Sequence, residues 1–435
     1  MSSPAMPASR VLSFEEARRL VEHHAASVSP REVETVNLLA GLGRVLAETL
    51  VADRDFPPFR RATRDGYAVR ASDVADTPVQ LELVGEIKAG AKPDSQTHVV
   101  GPRQAVGIMT GAPLPDEADA VVMVEHTTLA GQRVEVRRSV KSGENFVPRG
   151  AEARAGQLLL DRGRRLDHAG IAIAASVGKS HLQVFQKPRV AVLSTGDEVV
   201  EINATPGPTQ IRNSNSYSLA AQVQNAGGEP VRLAIAPDEP MRLQALIDEG
   251  LGCDLLLLTG GVSMGKYDLV EQVLAGLQAE FYFTGVGIQP GKPAVFGSCG
   301  AGALARLLAA HTKPTEAGVP APQKKFFFGL PGNPVSTMVT FELFAKPMIE
   351  ALAGQTLQPL IFLAARLKSE IRTKTGLKRF LPAILSGEFE KAEVELAQWQ
   401  GSGDIAALAK ANCYIVIPPD RERIAAGEWV SLLMR

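Results

Sequence analysis

The sequence predicts a multidomain α/β protein whose central domain is a doubly wound, mostly parallel β-sheet. Residues 255–258 are four leucines in a row, and Thr259-Gly260-Gly261 follows them. Residues 189–194 form a second short apolar run, which Thr195-Gly196 closes. Apolar runs without alternation are typical of parallel strands that are covered on both faces. Helical patterns separate these strands, and this alternation favours a parallel sheet.

Five segments of different texture follow one another along the 435 residues, a length too great for one hydrophobic core. Residues 1–60 carry helical patterns, whereas residues 61–146 contain short alternating segments that predict a β-rich domain. Residues 147–185 return to short strands and a helix. Residues 186–355 are predicted to form the α/β domain, and residues 356–435 a small β domain.

Two helices are predicted before the β-rich domain. Ser13 and Glu16 form a capping box, and the apolar spacing after them indicates an amphipathic helix. A second helical pattern covers residues 38–51 and ends before the paired prolines at 57 and 58, which break a helix. In the β-rich domain, residues 65–69 and 109–113 are interpreted as tight turns, and strands are predicted at residues 80–84, 120–124 and 133–136.

Helices and strands alternate from residue 167 onward. A helix over residues 213–226 begins at Asn213 or Ser214, and Asp238-Glu239-Pro240 opens another. Asp268 and Glu271 mark the start of a third in the manner of a capping box. We interpret residues 300–323, which are rich in Ala, Pro and Gly, as an exposed insertion. The remaining predictions are helices at 167–177 and from the loop at 330–336 through 350, and strands at 231–235, 325–328, 361–367, 380–385, 413–417 and 429–433.

Charge and cysteine usage exclude several classes of protein. The net charge is −1 and no basic block occurs, so no nucleic-acid partner is expected. The three cysteines are far apart and lack C-x-x-C spacing, which argues against a disulfide scaffold or a zinc site and fits a reducing cytoplasm. No apolar run approaches the ~20 residues that span a bilayer, so no membrane association is expected.

Three glycine-containing loops are candidates for binding an anion. They follow the predicted strands at Thr195-Gly196, at Gly260-Gly261 and at Pro331-Gly332. A strand that leads through glycines into a helix exposes backbone N–H groups to close approach. In open α/β sheets, ligands bind at the carboxyl ends of strands, so these loops are expected to face one crevice. The alternative for each is an ordinary turn between a strand and a helix.

Eight motifs occur in one order along the chain and point to one family. They are D-G-Y-A-V, I-M-T-G-A-P, D-A-V-V-M-x-E, G-E-N, S-T-G-D-E, T-G-G-V-S-M-G, P-G-K-P and L-P-G-N-P-V-S. With these motifs the chain resembles the molybdopterin molybdenumtransferase family, which includes the MoeA proteins and the E domain of gephyrin. The resemblance extends over nearly the whole chain.

The resemblance implies both an architecture and an activity. The central domain is expected to be MoaB/MogA-like, residues 1–60 and 147–185 to be two parts of an elongated α+β linker domain, residues 61–146 to be inserted between them, and the C-terminal domain to be barrel-like. Proteins of the family insert molybdenum from molybdate into adenylylated molybdopterin and release AMP. A homodimer is implied, with a molybdopterin adenylyltransferase and recipient molybdoenzymes as further partners.

Several acidic residues are expected close to these loops. Asp197, Glu198, Asp238 and Asp268 come near strand ends, and two negative groups at ~4 Å repel each other by several kcal/mol near a protein surface. Carboxylates beside a pyrophosphate therefore require a bridging cation, and Mg²⁺ favours carboxylates with phosphate oxygens. The alternatives are that Asp238 and Asp268 are N-caps and that Glu198 is a solvated loop acid.

The resemblance assigns roles to individual residues. Glu198, Asp238 and Asp268 are expected to be catalytic and to hold Mg²⁺, and Asp65 and Thr110 to complete the site of the opposite subunit. Lys292 is expected to contact phosphate or molybdate, although an exposed loop cation is the alternative. Asn333 and Pro334 also suit the N-cap and first position of a helix. The expected substrate-binding residues are Thr195, Gly196, Asp197, Gly260, Gly261, Ser263, Gly265, Lys292, Pro331, Asn333, Pro334 and Ser336.

The chain departs from the family pattern at a few positions. Gln289 stands before Pro290, where a cation is common, and Gly150-Ala151-Glu152 replaces a G-E-D-like segment. Gly403 and Asp404 interrupt an expected G-S-H-x-L, and Leu377 and Pro382 stand where arginines are expected. Arg379 is the candidate substitute for them. Two functions of other kinds stay open, a non-catalytic molybdopterin-binding scaffold and a molybdopterin adenylyltransferase.

Overall fold

The computed structural model describes residues 10–90, 99–261, 269–300 and 324–435. These residues divide into two compact units, which are interleaved in the sequence. One unit takes its residues from Met1–Ala47, Gly163–Asp167 and His181–Arg435, and the other from Glu48–Arg162 and His168–Ser180. The limits of the five predicted segments stay a prediction.

The N-terminal part of the first unit contains one helix and two strands. These are β1 (Val11–Leu12), α1 (Phe14–Ala25) and β2 (Val33–Asn37). The capping box is confirmed, because Ser13 Oγ accepts from the Glu16 N–H and the Glu16 carboxylate accepts from the Ser13 N–H. The helix predicted over residues 38–51 is wrong. A 3₁₀ turn, Leu38–Gly41, and a short strand, Leu50–Val51, form there instead. Gly43 takes a φ of +74° between them, and Leu46 forms a bridge to Val184.

The second unit is mainly β-structure. Its strands are β3 (Leu50–Val51), β4 (Arg61–Ala62), β5 (Gly66–Val69), β6 (Val79–Ile87), β7 (Gln104–Ile108), β8 (Ala120–Met123), β9 (Thr127–Ala130), β10 (Arg133–Val136), β11 (Phe146–Val147) and β12 (Leu158–Leu160), and its helix is α2 (His168–Ser176). Six of the strands form one sheet in the order β8-β5-β7-β6-β10-β9. The tight turn predicted at residues 65–69 is wrong, because β5 pairs with both β7 and β8 inside this sheet. A Cβ at Gly66 would lie 1.9 Å from the Val122 carbonyl oxygen, so the close approach of β5 to β8 at this point needs glycine.

The central part of the first unit is the predicted α/β domain. Its strands are β13 (His181–Phe185), β14 (Arg189–Ser194), β15 (Val199–Val200), β16 (Ile211–Arg212), β17 (Glu229–Arg232), β18 (Leu255–Thr259), β19 (Ala279–Phe283), β20 (Gly285–Val286), β21 (Ile288–Gln289), β22 (Val295–Cys299) and β23 (Lys325–Leu330). Its helices are α3 (Ser214–Asn225), α4 (Pro240–Leu251), α5 (Leu269–Gly276), α6 (Pro334–Thr340) and α7 (Lys346–Leu352), with the π-helical turn Phe341–Ala345 between the last two. The strand predicted at residues 231–235 lies two residues too late.

The main sheet has six strands in the order β17-β14-β18-β23-β22-β19. The first four are parallel, and β22 and β19 run antiparallel to their neighbours. Successive leucines of β18 enter opposite cores: Leu255 and Leu257 pack with α3 and α6, and Leu256 and Leu258 with α4 and α5. A doubly wound, mostly parallel sheet is therefore confirmed, and its strand order reverses between β14 and β18.

The C-terminal part is a small closed barrel, as predicted. Its elements are β24 (Phe362–Leu367), β25 (Ile371–Arg372), β26 (Lys378–Ser386), β27 (Glu393–Leu396), α8 (Ile405–Lys410), β28 (Cys413–Ile417), β29 (Arg423–Ile424) and β30 (Trp429–Met434). The pairings β26-β27-β24-β30-β28 return to β26, which closes a ring of five strands. Within the described part of the chain, no helix is long and apolar enough to cross a membrane.

Candidate functional site

The three glycine-containing loops meet at the carboxyl ends of β14, β18 and β23. The Thr195 N–H donates to the Thr259 carbonyl over 3.0 Å. A Cβ on Gly260 would lie 2.4 Å from the Thr195 carbonyl oxygen, and a Cβ on Gly332 would lie 3.5 Å from Gly260 Cα. Gly260 also has a φ of +89°. The loops therefore touch through their backbones, as they can only where side chains are absent.

A cavity opens between these loops and the start of α3. It lies beside the point where the strand order reverses, which is the usual ligand position in open α/β sheets. Glu198 is its acidic residue, and Arg212 its basic one. The lining residues are Ser194, Thr195, Glu198, Val199, Ile211, Arg212, Asn213, Ser214, Asn215, Thr259, Gly260, Gly332 and Pro334.

One wall of the cavity comes from residues that the sequence analysis did not assign to the site. Asn213 was expected only as a helix cap, and this is confirmed: its Oδ1 accepts from the Ser216 N–H over 3.1 Å. The same oxygen accepts from the Ser194 hydroxyl at the end of β14. The sequence signal for this wall is the polar run Arg212–Asn215 at the start of α3. Helix capping accounts for Asn213 but not for the other three residues.

Asn215 ties two of the loops together. Its Nδ2 donates to Thr259 Oγ1 over 3.0 Å, to the Gly332 carbonyl over 2.7 Å and to Thr337 Oγ1 over 3.4 Å. Thr259 and Thr337 in turn both donate to the Pro331 carbonyl. A single side chain on α3 thus fixes the end of β18 relative to the loop before α6.

The acidic residues Asp197, Glu198 and Asp238 form a group with mutual repulsion. The Asp238 N–H donates to Asp197 Oδ1 over 3.1 Å. Partial burial raises the pKa of Asp238, and the negative charges of Asp197 and Glu198 raise it further. Asp238 is not the N-cap of α4, because that position belongs to Glu239, so the capping alternative is wrong for this residue.

The negative charges of these carboxylates favour a cation nearby, although the described residues do not form a complete set of metal ligands. Burial is the main cause of the raised pKa of Asp238, and the charges of Asp197 and Glu198 add to it. Among the described residues, however, no three His, Cys, Asp or Glu side chains stand close enough together to hold a metal ion. Asp268, Ser263 and Gly265 lie outside the described residues. Glu198 and Asp238 are carboxylates of the kind that Mg²⁺ binds together with phosphate oxygens and waters.

Helix α6 begins as predicted, with Asn333 at the N-cap and Pro334 at the first position. The Asn333 side chain makes no capping hydrogen bond, so structure does not account for its amide. Pro334 lines the cavity, and the Pro331 carbonyl accepts from Thr259. Ser336 is only 4 % exposed and lies outside the lining residues. The Gly196 N–H donates to the Ala236 carbonyl and opens the turn that carries Glu198.

A larger cavity of about 750 Å³ lies at the opposite end of the same sheet, before β18 and β23. It is lined by charged residues, yet Arg31 pairs with Asp254 and Lys324 pairs with Glu280. Its position at the amino ends of the strands is not where doubly wound sheets bind ligands. The smaller cavity at the carboxyl ends is the better candidate site.

Known proteins resemble this chain along its length. Models of the MoeA N-terminal region (domains I and II), of a probable molybdopterin binding domain and of the MoeA C-terminal region (domain IV) match residues 12–178, 191–351 and 364–434. A molybdopterin molybdenumtransferase of Nostoc sp. is 35% identical over 417 residues, which cover 93% of this chain and 89% of that protein. The chain belongs to the molybdopterin molybdenumtransferase family.

Other members of the family are similar over comparable lengths. The molybdopterin molybdenumtransferase of Bacillus subtilis is 32% identical over 412 residues, covering 93% of this chain and 90% of that protein. A crystal structure of the molybdopterin biosynthesis MoeA protein from Pyrococcus horikoshii OT3 is 25% identical and has a TM-score of 0.73, covering 98% and 100% of the two chains. The resemblance stated from the eight motifs is thereby confirmed.

Gln289, a departure from the family pattern, contacts Arg379, the candidate substitute for the missing arginines. Arg379 is only 6 % exposed and donates to Gln289 Oε1, as well as to Thr373 Oγ1 and the Lys374 carbonyl. These contacts follow from the parallel pairing of β21 with the start of β26. Lys292 follows on the same loop, is exposed and does not line the cavity.

The altered motif near residue 403 forms a helix cap. Asp404 Oδ1 accepts from the Ala407 N–H and Oδ2 from the Gln400 N–H, and these bonds lower the pKa of Asp404. The Ser402 carbonyl accepts from the Val335 N–H at the start of α6 over 2.9 Å. Pro382 lies in β26 opposite Tyr414, and Leu377 directly precedes that strand. The turn therefore still joins the barrel to the loop before α6.

Asp65 and Thr110 are close partners within the second unit. The backbone N–H and the hydroxyl of Thr110 both donate to Asp65 Oδ1, over 2.6 and 2.8 Å. These two hydrogen bonds lower the pKa of Asp65, the backbone bond contributing more. The D-G-Y and I-M-T-G-A-P motifs of the family thus meet at one ionised carboxylate.

Proposed function

We infer that the protein inserts molybdenum from molybdate into adenylylated molybdopterin and releases AMP, as a molybdopterin molybdenumtransferase. The observation that carries this proposal is the meeting of three glycine-containing loops beside Glu198, in a chain similar to proteins of that name over 93% of its length. Backbone N–H groups at such loops suit phosphate oxygens.

Glu198 and Asp238 are proposed to hold Mg²⁺, with Asp268 as a further ligand on sequence grounds alone. Bound Mg²⁺ supplies positive charge that screens the phosphates and stabilises the AMP leaving group. Burial and the charges of Asp197 and Glu198 raise the pKa of Asp238, and this supports the assignment because a bound cation would offset the repulsion between the carboxylates. In this proposal a water oxygen bonds to the adenylyl phosphorus and gives up its proton to solvent as the P–O bond of the phosphoanhydride breaks. AMP leaves with the water oxygen, and the molybdopterin phosphate keeps the bridging oxygen.

The remaining substrate contacts are proposed from position. Thr195, Gly196, Gly260 and Gly261 offer close backbone approach, and Lys292 supplies an exposed point charge for molybdate or phosphate. Asp65 and Thr110 are proposed to serve the site of the opposite subunit in a homodimer. A molybdopterin adenylyltransferase and recipient molybdoenzymes are the proposed partners before and after this step. The three buried free thiols support a cytoplasmic location.

The direct test is a turnover assay with adenylylated molybdopterin and molybdate. We expect AMP release and active cofactor, and we expect a chelator of divalent cations to stop both. AMP release that ignores the chelator contradicts the magnesium assignment. Formation of adenylylated molybdopterin from ATP and molybdopterin, without molybdate-dependent AMP release, identifies an adenylyltransferase instead.

A further inference from the structure

Two residues in the cavity wall each carry a buried polar atom that has no hydrogen-bond partner among the described residues. These atoms are Thr195 Oγ1 and Asn215 Oδ1. Thr195 is only 3 % exposed. Three nearby hydroxyls are paired, because Ser194 donates to Asn213, and Thr259 and Thr340 donate to carbonyls. Other buried atoms of this kind occur elsewhere among the described residues, for example Gln222 Oε1 and Gln355 Oε1, but these two line one cavity.

The orientation of the Asn215 amide is fixed by its surroundings. The Gly332 carbonyl can only accept, so the atom 2.7 Å from it must be the nitrogen. Three acceptors lie within hydrogen-bond distance of Nδ2 and occupy its two N–H groups, so Oδ1 faces away from them. An amide oxygen only accepts hydrogen bonds, so whatever pairs with Oδ1 must be a donor.

Unpaired buried polar atoms destabilise a folded protein, because they lose water without gaining a partner. Such atoms are uncommon, and each calls for a physical reason. A ligand that enters the cavity and pairs with them supplies one. Binding then removes the free-energy cost that these two atoms carry in the ligand-free protein.

We propose that Asn215 and Thr195 form a subsite that reads a neutral hydrogen-bond donor of the substrate. Asn215 Oδ1 accepts from an N–H or O–H of the ligand, and the Thr195 hydroxyl pairs with the same part of it. Phosphate and molybdate oxygens are acceptors at neutral pH, so they do not satisfy Oδ1. The donors of the proposed substrate are the ring and amino N–H groups of its pterin and adenine and its hydroxyls. This inference rests on the proposed function for the identity of the ligand.

The Thr195 part is tested by Thr195→Val, which replaces the hydroxyl by a methyl of similar size. We expect the melting temperature to stay or rise, since an unpaired polar atom is removed, while the affinity for AMP or for molybdopterin falls about tenfold. The matched control is Thr340→Val, whose hydroxyl donates to the Ser336 and Thr337 carbonyls. This variant should melt earlier and bind both ligands normally. A lower melting temperature with unchanged affinity in Thr195→Val overturns the assignment.

The Asn215 part is tested by titrating Asn215→Ala with three probes at pH 8: AMP, molybdopterin and inorganic molybdate, which has no donor. We expect the affinity for one organic probe to fall at least tenfold and the molybdate affinity to stay the same. Weaker AMP binding assigns the donor to the nucleoside, and weaker molybdopterin binding assigns it to the pterin. Equal loss for molybdate means that Asn215 only ties the loops together, and this result overturns the proposal.

The two hypotheses fail in different measurements. Wild-type protein that binds the organic probes but releases no AMP with molybdate contradicts the proposed function and leaves the subsite standing. Wild-type turnover together with unchanged affinities in both variants contradicts the subsite alone. Wild-type protein that binds neither AMP nor molybdopterin overturns the subsite.

Discussion

Glu198 is the acidic side chain that lines the cavity, and its charge repels that of Asp238 in the loop before α4. Replacing it by Gln keeps the shape of the side chain and removes one of three repelling charges. We expect AMP release to fall about 100-fold or more, because a metal ligand contributes several kcal/mol to transition-state stabilisation. The melting temperature should not fall. Activity assays and thermal melts on one preparation check this.

The matched control for Glu198→Gln is Glu239→Gln. Glu239 is the N-cap of α4 but makes no capping hydrogen bond with its side chain. The substitution Glu239→Gln removes a negative charge from the neighbouring loop, and Glu239 does not line the cavity. Full activity in Glu239→Gln together with the loss in Glu198→Gln indicates that activity depends on the carboxylate at position 198 and not on the total negative charge of this region. Normal turnover in Glu198→Gln contradicts the assignment.

Glu350 gives a stability prediction with a defined sign. Burial raises its pKa, and the positive charges of Lys346, Arg165 and Arg18 offset this only in part. A carboxyl with a raised folded-state pKa stabilises the fold below its unfolded pKa, and this stabilisation is lost as pH rises through the folded pKa. Glu350→Gln should therefore melt a few degrees above wild type at pH 8 and show less difference at pH 4.

The control for this prediction is Glu342→Gln on the same helical segment. Glu342 accepts from Gln222 Nε2 over 2.9 Å and from Lys346 Nζ over 3.1 Å. Losing the carboxylate there breaks a favourable pair, so this variant should melt earlier at pH 8. Thermal melts of Glu350→Gln and Glu342→Gln at pH 4 and pH 8 check both expectations. A destabilised Glu350→Gln at pH 8 would show that its charge is compensated.

At the scale of elements, the turn after β18 depends on glycine for two separate reasons. Gly260 has a φ of +89°, and a Cβ there meets the Thr195 carbonyl oxygen at 2.4 Å. Gly427 has a similar φ of +83° but open space around it. Gly427→Ala should cost about 1–2 kcal/mol from the backbone alone and keep activity. Gly260→Ala should cost more and abolish ligand binding, as denaturant melts and AMP titration will show.

Elements with strong local signals could be predicted from the sequence. The leucines of β18, the capping box of α1 and the proline at the start of α6 each determine their element through nearby residues. The helix predicted over residues 38–51 failed because its strand partner Val184 is remote in sequence. The turn predicted at residues 65–69 failed for the same reason, since the conformation of Gly66 depends on its contact with Val122, which is remote in sequence.

The site was predictable where a motif follows a strand, as at Thr195-Gly196 and Gly260-Gly261. It was not predictable where a side chain acts through distant partners. Asn215 looks like any residue in the first turn of a helix, and its importance appears only when Thr259, Gly332 and Thr337 surround it. The capping alternative for Asp238 could be rejected only once α4 was seen to begin after Glu239.

At the scale of the whole molecule, the proposed homodimer can be tested by subunit mixing. The family resemblance implies that Asp65 and Glu198 act in one site but come from different subunits. We expect Asp65→Ala and Glu198→Ala to be inactive separately. After subunit exchange, each mixed dimer has one intact site and one site with both changes, so about half of the wild-type activity per mixed dimer should return. Proven exchange without recovery contradicts a shared site.

The interleaving of the two units sets an order of events during protein synthesis. The second unit is complete once residue 180 has been made, whereas α1 waits for partners made much later. Its Arg18 side chain donates to the Leu343 carbonyl, 325 residues further on, and Val11 pairs with Gly285. A nascent chain therefore leaves the ribosome with the second unit able to fold and with the apolar face of α1 uncovered. That face, with Phe14, Ala17 and Val21, therefore stays exposed to water until the chain has been made beyond Leu343.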